Sequence, residues 1–211
     1  MDAPQKHADA DQKPETSLFV GLDPLGANRF GWAILEVAEG EVVRISTDTA
    51  NTSSGVIELL RKLLPHAPQA VGINAPLFWV SDGDRQVDAA IRSRVLSAGG
   101  PKEDVVSVNS QRGASMVQGV IVAQLSRRQW PQALMTETNS KALLRLYAQA
   151  GQFLYQQFND PDRDHDKNAV LSAFSAWQGS IRQLDWRDLS KLDRRVFKPV
   201  ADDVAYWFPL Q

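Results

Sequence analysis

Cysteine is absent from this 211-residue chain, and histidine, tyrosine and methionine occur only three times each. The lack of cysteine excludes a disulfide scaffold, a zinc–thiolate site and a cysteine nucleophile, and it fits a reducing, cytoplasmic location. No apolar run approaches the roughly 18 residues that a membrane span needs, so no membrane partner is expected. The net charge is only −2. Any contact with nucleic acid must therefore come from a local patch rather than from a global positive field.

The first 17 residues are polar and contain no apolar signal-peptide core. Their content of Pro, Asp, Gln and Lys is typical of a disordered tail, so we assign residues 1–17 to a tail and residues 18–211 to a single domain. Hydrophobic residues make up 43% of the chain and charged residues 23%, which is enough to bury a sizeable core.

Hydrophobic patterning predicts five strands in one mixed sheet. Apolar runs at 18–24 and 30–37 flank a polar Gly/Asn turn and predict a β-hairpin, which residues 41–48 extend to an antiparallel meander. Short apolar runs at 69–74 and 132–138 are typical of buried strands. Helical spacing predicts five helices, and a last apolar segment predicts a terminal strand. These helices are 53–64, 84–97, 116–127, 140–150 and 167–177, and the strand is 202–209.

A lone carboxylate, Asp23, ends the first predicted strand, directly before a proline. Strands disfavour Asp, so an acid at this position is unusual for a purely structural hairpin, and metal-dependent phosphoryl-transfer enzymes are built around such an acid. The alternative is structural, with the side chain of Asp23 accepting hydrogen bonds from local N–H groups as the turn begins.

Further polar residues fall at strand ends or at a helix start, where the sheet would bring them close to Asp23. Glu137 is either a metal ligand or an acid that complements the N-terminus of the helix after it. Asn74, before Ala-Pro, is either a site residue or a turn organiser. His165 is either a general base or a polar residue in the first turn of a helix.

Six segments together resemble a family of predicted nucleases of RNase H-like fold, known only as domain of unknown function 429. In chain order they are VGLDPLGANRFGWAILE, AVGINAPLFW, DRQVDAAIR, LMTETNSKALLRL, DHDKNAVLSAFSA and VAYWFP, and together they span about residues 18–209. No single segment is specific to this family, but the order of the six segments is. The order of the predicted elements is also that of an RNase H-like α/β fold, with a mixed sheet and helices on both faces.

The resemblance implies a metal-dependent nuclease that acts on phosphodiester bonds of nucleic acid with Mg²⁺ or Mn²⁺. Asp23, Glu137 and Asp166 would be its metal ligands, with His165 beside them. Two such cations, roughly 4 Å apart, stabilise the entering and the leaving oxygen of the exchange.

The chain departs from the family at two positions, because Asn74 and Asn168 stand where the family has acids. An amide oxygen can touch a cation but brings no charge, so both replacements weaken divalent binding. Asp164 or Asp166 could partly substitute. A second function therefore stays open, namely a catalytically inactive RNase H-like module for binding or interaction.

Two further residue pairs are candidates, one for binding and one for an interface. Asp88 and Arg92 are either an exposed helical ion pair, as their spacing indicates, or residues with a structural or phosphate-facing role, as the resemblance implies. Trp207 and Phe208 are candidates for an apolar contact between copies in a homo-oligomer. An actin-like ATPase has a similar first hairpin but needs two such domains, for which 211 residues are too few.

Overall fold

The computed structural model describes residues 16–24, 30–78, 85–105, 113–158, 164–181, 185–193 and 204–210. Within these ranges the strands are β1 (Ser17–Pro24), β2 (Phe30–Ala38), β3 (Glu41–Ala50), β4 (Ala70–Ile73), β5 (Leu134–Glu137), β6 (Trp186–Asp188) and β7 (Trp207–Pro209). The helices are α1 (Ser53–Leu63), α2 (Gln86–Ser97), α3 (Gly113–Gln129), α4 (Ser140–Leu146), α5 (Ala148–Gln157) and α6 (Asp164–Ser180). Short 3-10 helices occupy Lys102–Asp104 and Leu189–Leu192.

The first five strands form one mixed sheet in the order β3-β2-β1-β4-β5. Strands β1, β2 and β3 are antiparallel neighbours, whereas β4 runs parallel to β1 and β5 runs parallel to β4. The predicted five-stranded mixed sheet is therefore confirmed. The parallel register aligns Leu22 with Ile73 and Ile73 with Glu137, so the carboxyl ends of three strands meet at one edge.

Helices cover both faces of the sheet because the side chains of each strand alternate between two cores. Leu18, Val20 and Leu22 of β1 belong to a core that includes Val56 of α1 and Val122 of α3. The intervening Phe19 belongs to a core on the other face, which is built around α6 and also includes α2, α4 and α5. No helix in the described ranges is long and apolar enough to cross a bilayer.

Helix α6 lies directly against the backbone of β1 and β4 because both strands carry glycine at the contact. A Cβ added at Gly21 would lie 1.8 Å from the carbonyl oxygen of Ala169, and one at Gly72 would lie 2.0 Å from that of Ser172. Neither position has room for a side chain. This close approach sets the distance between the first turns of α6 and the carboxyl end of β1.

Two sequence predictions about helices are wrong. The helix predicted over 140–150 is two helices, because Tyr147 adopts an extended conformation between α4 and α5. Its buried ring packs edge-on against Trp186, at 5.7 Å between centroids. Gly151, expected to end the helix, lies inside α5. Helix α6 also begins at Asp164 rather than at residue 167, so Asp164 and Asp166 lie in its first turn.

The two chain termini differ in part from the predictions. Ser17, assigned to the tail, begins β1, and residues 1–15 lie outside the described residues. The terminal strand is present as β7, and it pairs with β6, which was not predicted. Phe208 is buried in its own chain, and the ring of Trp207 packs on Gly179 of α6. A homo-oligomer through this segment stays a prediction.

Candidate functional site

Asp23 and Asn74 meet at the carboxyl ends of two parallel strands. Asp23 lies near the end of β1, the central strand, and is fully buried. The Nδ2 atom of Asn74, which follows β4, donates to Oδ1 of Asp23 at 2.7 Å. Oδ1 of Asn74 in turn accepts the backbone N–H of Ser140 at 3.2 Å. Because a backbone N–H can only donate, this second bond fixes the amide with its nitrogen toward Asp23.

A second amide faces the other oxygen of the same carboxylate. Nδ2 of Asn168, in α6, lies 3.4 Å from Oδ2 of Asp23. The backbone carbonyl of Asn168 accepts hydrogen bonds from the hydroxyls of Ser140 and Ser172, at 3.1 and 2.8 Å. Asp166 is buried two residues earlier on α6. Both oxygens of Asp23 therefore face N–H donors, which are the partners that stabilise a carboxylate without a cation.

A buried arginine lies between two further carboxylates. Arg85, directly before α2, is only 2% exposed. Its Nε and Nη2 atoms donate to Asp88 at 2.8 Å each, and its Nη1 and Nη2 atoms donate to Glu137 at 2.9 and 2.7 Å. Nη1 also donates to the carbonyl oxygen of Phe78 at 3.2 Å. The five N–H groups of the guanidinium thus all have acceptors.

Burial and charge act in opposite directions on these groups. Burial alone would lower the pKa of Arg85, but Glu137 and Asp88 raise that pKa above its ordinary value, so the guanidinium stays charged. Burial raises the pKa of Glu137, against the opposing effects of Arg85 and of the Leu77 N–H, which donates to Oε2 at 2.8 Å. Both oxygens of Glu137 accept hydrogen bonds from N–H donors, as the oxygens of an ionised carboxylate do. The three side chains together carry a single net negative charge.

A cavity of about 200 Å³ at the ends of β4 and β5 is lined by Asn74 of the first cluster and by the three charged side chains of the second. Thr138, 5% exposed, also lines it, and its hydroxyl has no hydrogen-bond partner among the described residues. Burial and the neighbouring carboxylates raise the pKa of Tyr206, another lining residue, well above its ordinary value. The lining residues are Asn74, Ala75, Pro76, Arg85, Asp88, Glu103, Asp104, Ser115, Glu137, Thr138, Asn139, Lys141 and Tyr206.

The structure brings only some of the predicted candidates together. Asp23, Asn74 and Asn168 are joined by hydrogen bonds, whereas Glu137 lines the cavity together with Asn74 and is bonded to Arg85. The backbone of His165 lies in the first turn of α6, and its side chain lies outside the part of the chain that the structure describes.

The predicted exposed pair on α2 is wrong. Asp88 is 2% exposed and accepts two hydrogen bonds from Arg85, because it lies in the first turn of α2 and faces the interior. Arg92, one turn later, donates through Nε to the carbonyl oxygen of Val105 at 2.8 Å. Arg92 is thus directed toward the segment that contains Val105.

Sequence reasoning missed Arg85, whose buried guanidinium makes five hydrogen bonds in the site. Its spacing of three residues from Asp88 was a usable signal, because residues at that spacing share a helix face. Its bonds to Glu137 join residues 52 positions apart in the chain, and no local pattern reports such a contact.

The described residues do not fit a two-metal centre. Both oxygens of Asp23 face amide N–H groups, and Glu137 has a guanidinium where a cation would have to lie. Across the described ranges, no group of three or more His, Asp or Glu side chains is placed to hold a metal ion. Two divalent ions require several shared carboxylates, and here Asp23 already faces two amide donors and Glu137 already faces a guanidinium.

No family of known proteins, no characterised protein and no solved structure matches this chain. The fold is mixed α/β, with a five-stranded mixed sheet and helices on both faces.

Proposed function

We propose that this chain is an RNase H-like protein, related to the predicted-nuclease family, that binds nucleic acid at the carboxyl ends of β1, β4 and β5 without cleaving it through metal ions. The bridging amide of Asn74, which donates to Asp23 and accepts from the Ser140 N–H, carries this proposal. The amide takes the position at which a nuclease of this type would need a second charged metal ligand.

The position of the site supports a binding role. In open sheets with parallel strands, ligands bind in the crevice beyond the carboxyl ends of the strands. Asn74 and Thr138 each follow directly on such a strand end, and both line the cavity of about 200 Å³. The strand order, with an antiparallel meander followed by two parallel strands, supports the RNase H-like assignment.

The charge balance supports binding over metal-dependent cleavage. Removing one acid beside Asp23 lowers the attraction for a divalent ion by several kcal/mol before desolvation is considered, about 8 kcal/mol at an effective dielectric constant of 20 and a separation of 4 Å. Asn74 and Asn168 each lower the attraction for a divalent ion in this way. The positive charge of Arg85 also repels a cation beside Glu137.

Metal-dependent phosphodiester cleavage is the second candidate. Asp23 and Asp166 favour it, because both are buried acids at the start or end of elements that meet in this region. The contact from Asn168 to Asp23 is long, at 3.4 Å, and a cation could displace it more easily than the 2.7 Å contact from Asn74.

The test measures binding and cleavage side by side. Fluorescence anisotropy with labelled single- and double-stranded DNA and RNA should detect binding to at least one of the four. That binding should be the same in EDTA as in Mg²⁺ or Mn²⁺, and gel analysis should show no cleavage. Lys141→Glu, at an exposed lysine that lines the cavity, should weaken binding, whereas Lys62→Glu on α1 should not.

Two results would contradict the proposal. Cleavage in Mn²⁺ that Asp23→Asn abolishes would establish the nuclease. Lack of binding to all four nucleic acids would favour a catalytically inactive interaction module whose partner is not a nucleic acid.

A further inference from the structure

We infer that the guanidinium of Arg85 lies in a cation-binding site between Asp88 and Glu137. This site binds a calcium-sized cation when the arginine is removed. The carboxylates around Arg85 form this site, whatever ligand the protein binds.

The oxygen atoms around the guanidinium already form a cation cage. Five of them accept its N–H groups, two from Asp88, two from Glu137 and one from the carbonyl of Phe78. The Nη2 atom lies 2.8 Å from Asp88 and 2.7 Å from Glu137, so the two carboxylates face each other across one nitrogen. Without a positive charge there, two buried like charges would repel each other.

The size and flexibility of this cage fit calcium better than magnesium. Ca²⁺ takes six to eight oxygen ligands at about 2.3–2.6 Å and accepts bidentate carboxylates, whereas Mg²⁺ requires a near-ideal octahedron at about 2.0–2.1 Å. Two bidentate carboxylates and one carbonyl supply most of the Ca²⁺ ligands after a small inward movement. Water in the adjoining cavity of about 200 Å³, where Thr138 presents a hydroxyl with no partner among the described residues, would supply the rest.

In the native chain the arginine excludes a metal ion. Its five donors are satisfied, it is 2% exposed, and an arginine does not lose its charge in proteins. A divalent ion would have to displace a fully bonded guanidinium from a buried position. The native cavity should therefore show no response to calcium.

Thermal unfolding of the full chain tests the inference. Arg85→Ala should melt at a lower temperature than the native chain in EDTA, and calcium should raise its melting temperature by on the order of 5 °C at saturation. Magnesium should have a much smaller effect. Calorimetry should show one calcium per chain, and the double variant Arg85→Ala/Glu137→Gln should lose the response.

Arg145→Ala is the matched control. Arg145 pairs with Asp104 at 2.7 Å beside the same cavity, but it is partly exposed, so its loss should create no calcium response. Arg85→Lys keeps a charge in the cage and should also show none, although a lysine cannot bond both carboxylates bidentately.

Three results would overturn the inference. One is an Arg85→Ala variant whose stability calcium does not change. Another is a native chain that calcium stabilises and in which Glu137→Gln removes the effect. The third is an Arg85→Ala variant that fails to refold in EDTA, in calcium and in methylguanidinium, because a position that needs only a cation should be rescued by one of the last two. Refolding in calcium but not in EDTA would support it.

Discussion

The amide nitrogen of Asn74 lies 2.7 Å from the carboxylate of Asp23 and joins the ends of two parallel strands. Asp23 is fully buried, so the loss of this donor leaves a charged oxygen with less compensation. We expect Asn74→Ala to lower the free energy of unfolding by about 1–3 kcal/mol. Urea unfolding at neutral pH measures this. Asn168→Ala should cost less, because its contact is 3.4 Å long, and an equal cost would contradict this ranking of the two amides.

Placing acids at the two asparagines should create a metal site. In Asn74→Asp with Asn168→Asp, new carboxylates would lie beside Asp23 and repel it unless a cation is bound. One unit charge about 4 Å from another contributes on the order of 4 kcal/mol at an effective dielectric constant of 20, and twice that against a divalent ion. The double variant should bind Mn²⁺ measurably tighter than the native chain by calorimetry.

The same variant should be less stable than the native chain in EDTA and should recover in Mn²⁺. If the groove accepts a substrate, it should also gain cleavage of labelled DNA or RNA. Equal Mn²⁺ affinity in the two proteins would mean that these positions do not form a metal site.

The two strand glycines under α6 should not accept a side chain. In Gly21→Ala the new Cβ would lie 1.8 Å from a backbone oxygen of α6, and in Gly72→Ala it would lie 2.0 Å from another. Backbone cannot move aside as a side-chain tip can, so each should cost at least about 3 kcal/mol, the upper end of ordinary overpacking. Gly151→Ala in α5 is the control, since its nearest neighbour would be a Leu144 methyl at 3.8 Å. That variant should be neutral or more stable, because alanine favours helix.

The sheet and the strand-end residues could be predicted from the sequence because they depend on local patterns. Apolar runs of strand length, bounded by turn residues, place all five sheet strands within a few residues of their observed bounds. Asp23, Asn74 and Glu137 stand at or directly after the ends of those runs, so their meeting at one edge follows from the parallel order of β1, β4 and β5.

The bonding within the site could not be predicted in the same way. The pairing of Arg85 with Glu137 depends on how α2 packs beside β5, which no spacing in the sequence encodes. The break at Tyr147 was missed because the segment contains no proline and has helical spacing, and the tertiary contact of the Tyr147 ring with Trp186 outweighs local preference. In the sequence, the position of Asn74 before Ala-Pro is typical of a turn residue. Only the structure shows that its amide lies between Asp23 and the Ser140 N–H.

The buried phenol of Tyr206 should make the protein sensitive to alkali. Burial is the main reason that its pKa is well above the ordinary 10.0, and the charges of Glu137 and Asp88 add to the shift. The native state therefore holds this proton more tightly than the unfolded state. The resulting stability is fully present below pH 10.0, the unfolded value, and is lost as pH rises from there through the native pKa. The free energy of unfolding should thus fall above pH 10.0 more steeply in the native chain than in Tyr206→Phe.

Tyr155→Phe is the control, because Tyr155 is 76% exposed and its replacement should leave the alkaline slope unchanged. Urea unfolding across the alkaline range measures the slopes, and identical slopes for the native chain and Tyr206→Phe would show that this phenol does not govern alkaline stability.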